Sequence, residues 1–283
     1  MAEELPLYML VQRSVALLQA HAPSDRPYEG GISGGKDSVV IKALAALAGV
    51  AVRWSYAQTT IDPPELVAFL RHAHSDVRWI RPKHGYLLHR ALVNGFPTRR
   101  SRWCCAEYKE QAEQIPGSTT ILGVRIAESA SRKARWTACT SFRSHEHERD
   151  WGQQKLVLPI RLWSDDHVWQ FIRERNIPYC SLYDEGFKRL GCVGCPLTTT
   201  KQRKIEFARW PRMEAAWRRM FDRLWAAKAG TLDRNKNEWW GSRVHDTPDE
   251  LWAWWLDRCQ NATKWRVGKG LRVKDIHVLR DHK

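Results

Sequence analysis

The chain has 283 residues, enough to bury a sizeable core as one large domain or as a domain with an appendage. It contains no run of 18 apolar residues, and its acidic start, MAEELPLYML, lacks the basic-then-apolar pattern of a signal peptide, so the expectation is a cytoplasmic protein with no membrane partner. Forty-six Lys and Arg against 31 Asp and Glu leave a net charge of +15, which points to a polyanionic partner, either nucleic acid or nucleotide substrates drawn to a basic surface.

Residues 4–21 carry apolar side chains at helical spacing, and PYEGGI then reads as a short strand. A glycine loop follows, and the segment 38–47, SVVIKALAAL, is rich in helix formers and stops before Gly49. VAVRWSYA is the next strand. Pro63 and Pro64 open another helix, where a missing N–H is harmless, and DVRWI is a third strand. Beyond the basic loop NGFPTRRSRW, CCAEYKEQAEQ reads as helix and STTILGV as a buried strand. KLVLPI adds a further strand, and Ser164 is placed to cap a helix over SDDHVWQFIRERN. This alternation predicts an α/β fold with a mostly parallel sheet covered on both faces. From residue 200 the chain becomes basic, Trp-bearing and helical except at Pro211, so the expected division is 1–199 for the nucleotide-binding domain and 200–283 for a helical C-terminal region.

The stretch between the first strand and its helix is GGISGGKDS, one residue away from a Walker A loop, with Asp37 where Ser or Thr should hold magnesium. A strand, glycines and a helix N-terminus make a phosphate cradle, and Lys36 can neutralise phosphate. A carboxylate beside phosphates requires a divalent cation between them. The run from Ser33 to Ser38, SGGKDS, resembles the fingerprint of the PP-loop family, the ATP pyrophosphatases. That resemblance implies an adenine nucleotide α-hydrolase-like, doubly wound fold that binds ATP with Mg2+ and cleaves it between the α and β phosphates. It implies binding roles for Ser33, Gly34, Gly35, Lys36, Asp37 and Ser38. Among these, Lys36, Asp37 and Ser38 are the catalytic candidates.

Seven cysteines in a reducing compartment argue against a disulfide framework, and four of them form two tight pairs, Cys104–Cys105 and Cys192–Cys195. On spacing alone, four thiolates suit zinc or an iron–sulfur centre equally. The context of the pairs resembles the 4Fe-4S pattern of assimilatory adenylylsulfate reductases. LYDEGFKRLGCVGCP (182–196), TTIDPPEL (59–66) and GVRIAESASR (123–132) resemble the wider phosphoadenylylsulfate (PAPS) reductase family. That likeness implies a 4Fe-4S cluster on Cys104, Cys105, Cys192 and Cys195; Cys180 is near enough in sequence to replace Cys104 if the adjacent pair cannot both reach the metal. It also implies a nucleotide pocket lined by Arg125, Glu128, Ser129 and Arg132.

Two departures separate the chain from sulfonucleotide reductases. It keeps the Lys–Asp pair that those enzymes lack, and it has no E-C-G-[LI]-H segment bearing a mobile nucleophile; Cys259 is its only later cysteine. The expectation is therefore an ATP-dependent enzyme that adenylates a substrate for sulfur transfer or modification of nucleic acid, RNA or DNA, with a sulfur donor protein as a further partner. The alternatives are a reductase that releases sulfite, using Cys259, and a nucleic-acid-binding accessory factor of a mobile element or CRISPR system with a regulatory nucleotide pocket. The chain has sixteen tryptophans, and those beside Arg and Lys in TRRSRW, SRKARW, RWPRMEAAWRR and KWRVGKGLRVK suit stacking on unpaired bases, or the packing of the C-terminal helices.

Overall fold

The structure, a computed structural model, describes residues 5–110, 117–128, 139–142, 154–232, 236 and 238–258. The chain forms two compact units, the first drawn from Met1–Gln58, Asp62–Pro82 and Lys109–Gly191, the second from Thr59–Ile61, Lys83–Tyr108 and Cys192–Lys283.

The first unit is built on a sheet whose strands are β1 (Tyr28–Gly31), β2 (Val52–Ala57), β3 (Arg78–Ile80), β4 (Thr119–Ile121), β5 (Cys139–Phe142) and β6 (Gln154–Val157). Their spatial order is β3-β2-β1-β4-β6-β5. The five strands from β3 to β6 run parallel, and β5 lies antiparallel on the edge beside β6. Helices α1 (Leu7–Ala20), α2 (Lys36–Leu47) and α3 (Pro64–Ala73) precede β4, and helices cover both faces of the sheet. The chain steps outward from β1 to β2 to β3 and then returns to the other side of β1 for β4. Parallel crossovers are right-handed, so this reversal opens a crevice at the C-terminal ends of β1 and β4, where α/β sheets bind ligands.

Helix α1 buries Leu7, Leu10, Ser14 and Leu18, one stripe at helical spacing. Ser14 is satisfied inside the core by the Leu10 and Pro159 carbonyls and by the indole N–H of Trp163. The core continues through Val39, Val40, Ile41 and Leu44 of α2 to Val168, Phe171 and Ile172.

Helix α3 ends at His74, whose Nδ1 lies 3.2 Å from Lys42 Nζ, while Lys42 also pairs with Asp76. Burial, aided by the charge of Lys42, pushes the His74 pKa down to about 4. The folded chain thus holds His74 neutral through a range in which an unfolded histidine, titrating near 6.5, binds a proton. The unfolded state binds more protons between those values, so this contribution is complete above pH 6.5 and is lost as pH falls towards 4. Urea unfolding at pH 5 and pH 7 is expected to show a drop of at most about 1.4 kcal/mol per pH unit from this group, which His74→Gln removes. Equal pH dependence in the two proteins would contradict a buried neutral His74.

In the second unit, α4 (Leu87–Asn94) packs on a long helix, and α5 (Trp103–Cys105) runs directly into a π-helical turn, Ala106–Glu110. The uniform helix expected over CCAEYKEQAEQ is therefore wider after Cys105, and residues 111–116 lie outside the described residues. Glu107 holds this turn by accepting from Arg90 and Asn94 of α4, and the Tyr108 hydroxyl donates to the Gly85 carbonyl.

Helix α6 (Asp165–Glu174), in the first unit, starts at Ser164 as expected, with His167 completing a reciprocal capping box. The C-terminal helices of the second unit are α7 (Thr200–Arg209), α8 (Pro211–Lys228), α9 (Trp240–Val244) and α10 (Pro248–Arg258), with the break between α7 and α8 at Pro211. Their core is aromatic: Trp217 and Trp252 stack on Trp255, and Phe221 packs edge-on against Trp252. Arg203 is fully buried there, donating to the carbonyls of Trp255 and Leu256 and lying over the Trp255 ring. Trp210, Trp217, Trp252, Trp254 and Trp255 are thus core residues rather than stacking platforms. SRKARW and KWRVGKGLRVK lie outside the described residues.

Candidate functional site

The loop Ile32–Gly35 leaves β1 at the crevice. Gly34 has φ +75°, and a Cβ there would stand 2.5 Å from Leu66 Cδ1 of α3, so only glycine fits the turn. Helix α2 then begins at Lys36 with no side-chain cap of its own. Ser38 Oγ donates to the Gly35 carbonyl at 2.8 Å and lies 3.4 Å from Ser33 Oγ, which is also 3.4 Å from the Gly35 N–H. The Lys36 N–H donates to the Tyr183 hydroxyl at 2.8 Å.

The second wall of the crevice is the loop after β4. A Cβ on Gly123 would lie 3.3 Å from the backbone of Asp37, so this loop touches the first turn of α2 at the reversal point. Arg125, 2 % exposed, carries the charge there. Its Nε is 2.8 Å from Asp37 Oδ1 and 3.9 Å from Glu128, and its terminal nitrogen is 2.6 Å from Asp165 Oδ1. Lys36 Nζ is 3.3 Å from the same Asp165 oxygen and 3.7 Å from Asp37 Oδ2. Burial works against the Arg125 charge, yet Asp37 and Asp165 hold its pKa above the ordinary value. Burial likewise opposes the Asp165 charge, and Lys36 and Arg125 hold that carboxyl below its usual value.

Asp37 Oδ1 and Arg125 Nε are both buried and face each other as an ion pair at 2.8 Å, with no further hydrogen bond to either atom. A ligand entering here can exchange this one ion pair for two, a cation on the carboxylate and an anionic oxygen on the guanidinium. The residues therefore fit magnesium and phosphate together.

The structure brings together Ser33, Gly34, Gly35, Lys36, Asp37, Ser38, Arg125 and Glu128. Ser129 and Arg132 lie outside the described residues. Asp165 and Tyr183 join the site without having been expected. Asp165 reads in sequence as a first-turn helix acid, and Tyr183 belongs to the quoted LYDEGF stretch, where nothing local singles out the phenol.

The four expected metal ligands all belong to the second unit. Cys104 and Cys105 sit on α5 just before the π-helical turn, a distortion common at functional sites. Cys192 and Cys195 flank a loop fixed from below: the Gly194 N–H donates to Glu206 at 2.9 Å and Trp217 Nε1 donates to the Val193 carbonyl at 3.1 Å. All four are half-buried thiols. A hydrogen bond with the Cys105 thiol, burial, and the nearness of Cys105, Cys192 and Cys195 push the Cys104 pKa far up. Thiols crowded this way cannot all ionise unless a cationic centre binds them, and an all-sulfur donor set is the one soft metals and iron–sulfur clusters select. Among the described residues, no three His, Cys, Asp or Glu side chains are arranged to hold a single metal ion. Cys180 is fully buried in the first unit, its pKa raised by burial, with Glu65, Glu185 and Asp184 as its charged neighbours. Cys259 lies outside the described residues.

The profile of the phosphoadenosine phosphosulfate reductase domain matches residues 31–198. The chain belongs to that family. An uncharacterized protein of Methanocaldococcus jannaschii is 27% identical over 240 residues, covering 81% of this chain and 46% of the relative. An adenosine 5'-phosphosulfate reductase of Oceanobacillus iheyensis is 33% identical over 115 residues, covering 40% of this chain and 45% of the relative. The chain spans less than half the length of these curated relatives. A crystal structure of phosphoadenylyl-sulfate reductase from Candida auris, a phosphate complex, aligns with TM-score 0.49 at 15% identity over 67% of this chain and 95% of that one. Among the described residues, no helix is long and apolar enough to cross a membrane.

Proposed function

We propose that this PAPS reductase-family chain binds ATP in the glycine loop, cleaves it between the α and β phosphates, and adenylates an acceptor on nucleic acid for sulfur transfer or another modification. The observation that carries the reading is the pairing of Lys36 and Asp37 at the first turn of α2, beside Arg125, at the crevice between β1 and β4. Lys36 neutralises charge on the departing pyrophosphate, while the loop amides and the Ser33 and Ser38 hydroxyls orient its oxygens. Arg125, held between Asp37 and Asp165, would offer its guanidinium to a phosphate oxygen. Asp37 would hold magnesium through Oδ1, and the ion would supply charge neutralisation along the triphosphate.

Cys104, Cys105, Cys192 and Cys195 fit a 4Fe-4S cluster, which when bound would hold sulfur for delivery. The acceptor is assigned from charge. Arg212, Arg219 and Arg223 are exposed on α8 in the basic region that begins at residue 200, and the whole chain carries +15. A sulfur donor protein completes the scheme.

Anaerobic incubation with α-labelled ATP and magnesium, alone and with bulk RNA or DNA, tests this. AMP formation stimulated by one nucleic acid is the expected result; ADP as the product would contradict it. The 33% identity to an adenosine 5'-phosphosulfate reductase favours a second reading, sulfite release from adenylylsulfate without ATP turnover, which a sulfite assay in the same samples separates from the first.

A further inference from the structure

The first amide of α2 is the group a bound phosphate would use, and it is already engaged. Lys36 N–H donates to Tyr183 Oη at 2.8 Å. A phenol has one proton and can accept as well as donate, so accepting this amide leaves its own O–H available. Among the described residues, no side chain or carbonyl accepts that proton. The hydroxyl also faces the cradle itself: a Cβ built on Gly35 would lie 3.4 Å from Ser33 Oγ and 3.6 Å from Tyr183 Oη, so two hydroxyls flank the glycine.

The phenol is held in place from behind. Tyr183 ends the 3-10 turn Ser181–Tyr183 next to the fully buried Leu182, and its ring packs edge-on against Trp169 with centroids 4.9 Å apart. Burial raises its pKa, and the neighbouring Asp37, Cys180 and Asp165 raise it further, so the group stays a protonated donor.

We propose that Tyr183 is a phosphate-contacting residue of the glycine loop: its hydroxyl accepts the Lys36 N–H and donates its proton to an oxygen of the pyrophosphate end of the bound nucleotide. The amide fixes the oxygen, and the proton extends the donor set of the loop beyond its own amides and serines. This rests on the reading that the loop binds the pyrophosphate end of ATP.

Tyr183→Phe keeps the ring packing and deletes only the hydroxyl. Calorimetric titration of the full chain with magnesium and ATP, inorganic pyrophosphate or AMP is expected to show the variant binding ATP and pyrophosphate about ten- to a hundredfold more weakly, as for a lost hydrogen bond to a charged group, with AMP affinity unchanged. A purely structural cap would weaken all three ligands alike. Equal binding of pyrophosphate by both proteins would overturn the proposal, and tighter binding by Tyr183→Phe would do so too, marking the phenol as a competitor of phosphate. Wild-type protein that binds neither ATP nor pyrophosphate would overturn the ATP reading along with it. If the phenylalanine variant does not fold, 3-fluorotyrosine incorporated at position 183 serves instead: its fluorine resonance is expected to shift with pyrophosphate and not with AMP, and no shift would reject the contact.

Discussion

Replacing Lys36 with methionine is expected to lower the rate of AMP and pyrophosphate formation by about two to three orders of magnitude, the range seen when one group that stabilises developing charge is removed. Methionine keeps most of the stem volume of this side chain, which is only 7 % exposed, so the change is chiefly the loss of an ammonium. That ammonium sits 3.3 Å from Asp165 and 3.7 Å from Asp37, and a triphosphate entering the crevice offers it a stronger partner than either. The defect should fall on kcat more than on KM, because the charge on the leaving pyrophosphate grows as the α–β bond breaks. Folding should change little, since Asp165 is largely solvated and Asp37 keeps Arg125. Steady-state kinetics on the variant decide the point. A rate within tenfold of wild type would move the role of Lys36 to Arg125.

Gly194→Ala is expected to destabilise the second unit by about 3 kcal/mol, combining left-handed backbone strain with overpacking. Gly194 has φ +76°, and a Cβ there would lie 2.6 Å from Phe207 Cζ and 2.9 Å from Trp217 Nε1. Neither ring can retreat, as both are buried, and Trp217 is tied to the Val193 carbonyl. The loop itself must shift, carrying Cys192 and Cys195 away from Cys104 and Cys105. Thermal unfolding should therefore begin several degrees earlier, and iron and sulfide in anaerobically purified protein should fall by more than half. Unchanged iron with a lowered melting temperature would separate the loop from any cluster; no change in either would contradict the packing described for Gly194.

What could be read from sequence was local. SGGKDS identified its loop because strand, turn and helix N-terminus are contiguous, and the Ser164 cap lies three residues from its partner. The parallel sheet followed from alternating strand and helix patterns, although β5, the antiparallel edge strand, was not anticipated. The residues missed are those that only the fold brings near. Tyr183 is 147 residues from the amide it binds, and Asp165 reaches Lys36 and Arg125 only because α6 starts at the crevice. For the tryptophans, composition could not choose between bases and packing. The structure places the Trp217, Trp252 and Trp255 rings against one another, which decides those three. The π-helical turn after Cys105 was equally invisible, since it depends on the grip of Glu107 on Arg90 and Asn94.

The most direct test of α–β cleavage is isotope exchange. Labelled pyrophosphate is incubated with unlabelled ATP, magnesium, the anaerobically purified protein and the stimulating nucleic acid. Label appearing in ATP, dependent on Lys36, is the predicted result, because a reversible adenylation returns pyrophosphate to the nucleotide. No exchange, with ATP converted instead to ADP and orthophosphate, would contradict the assignment of the loop.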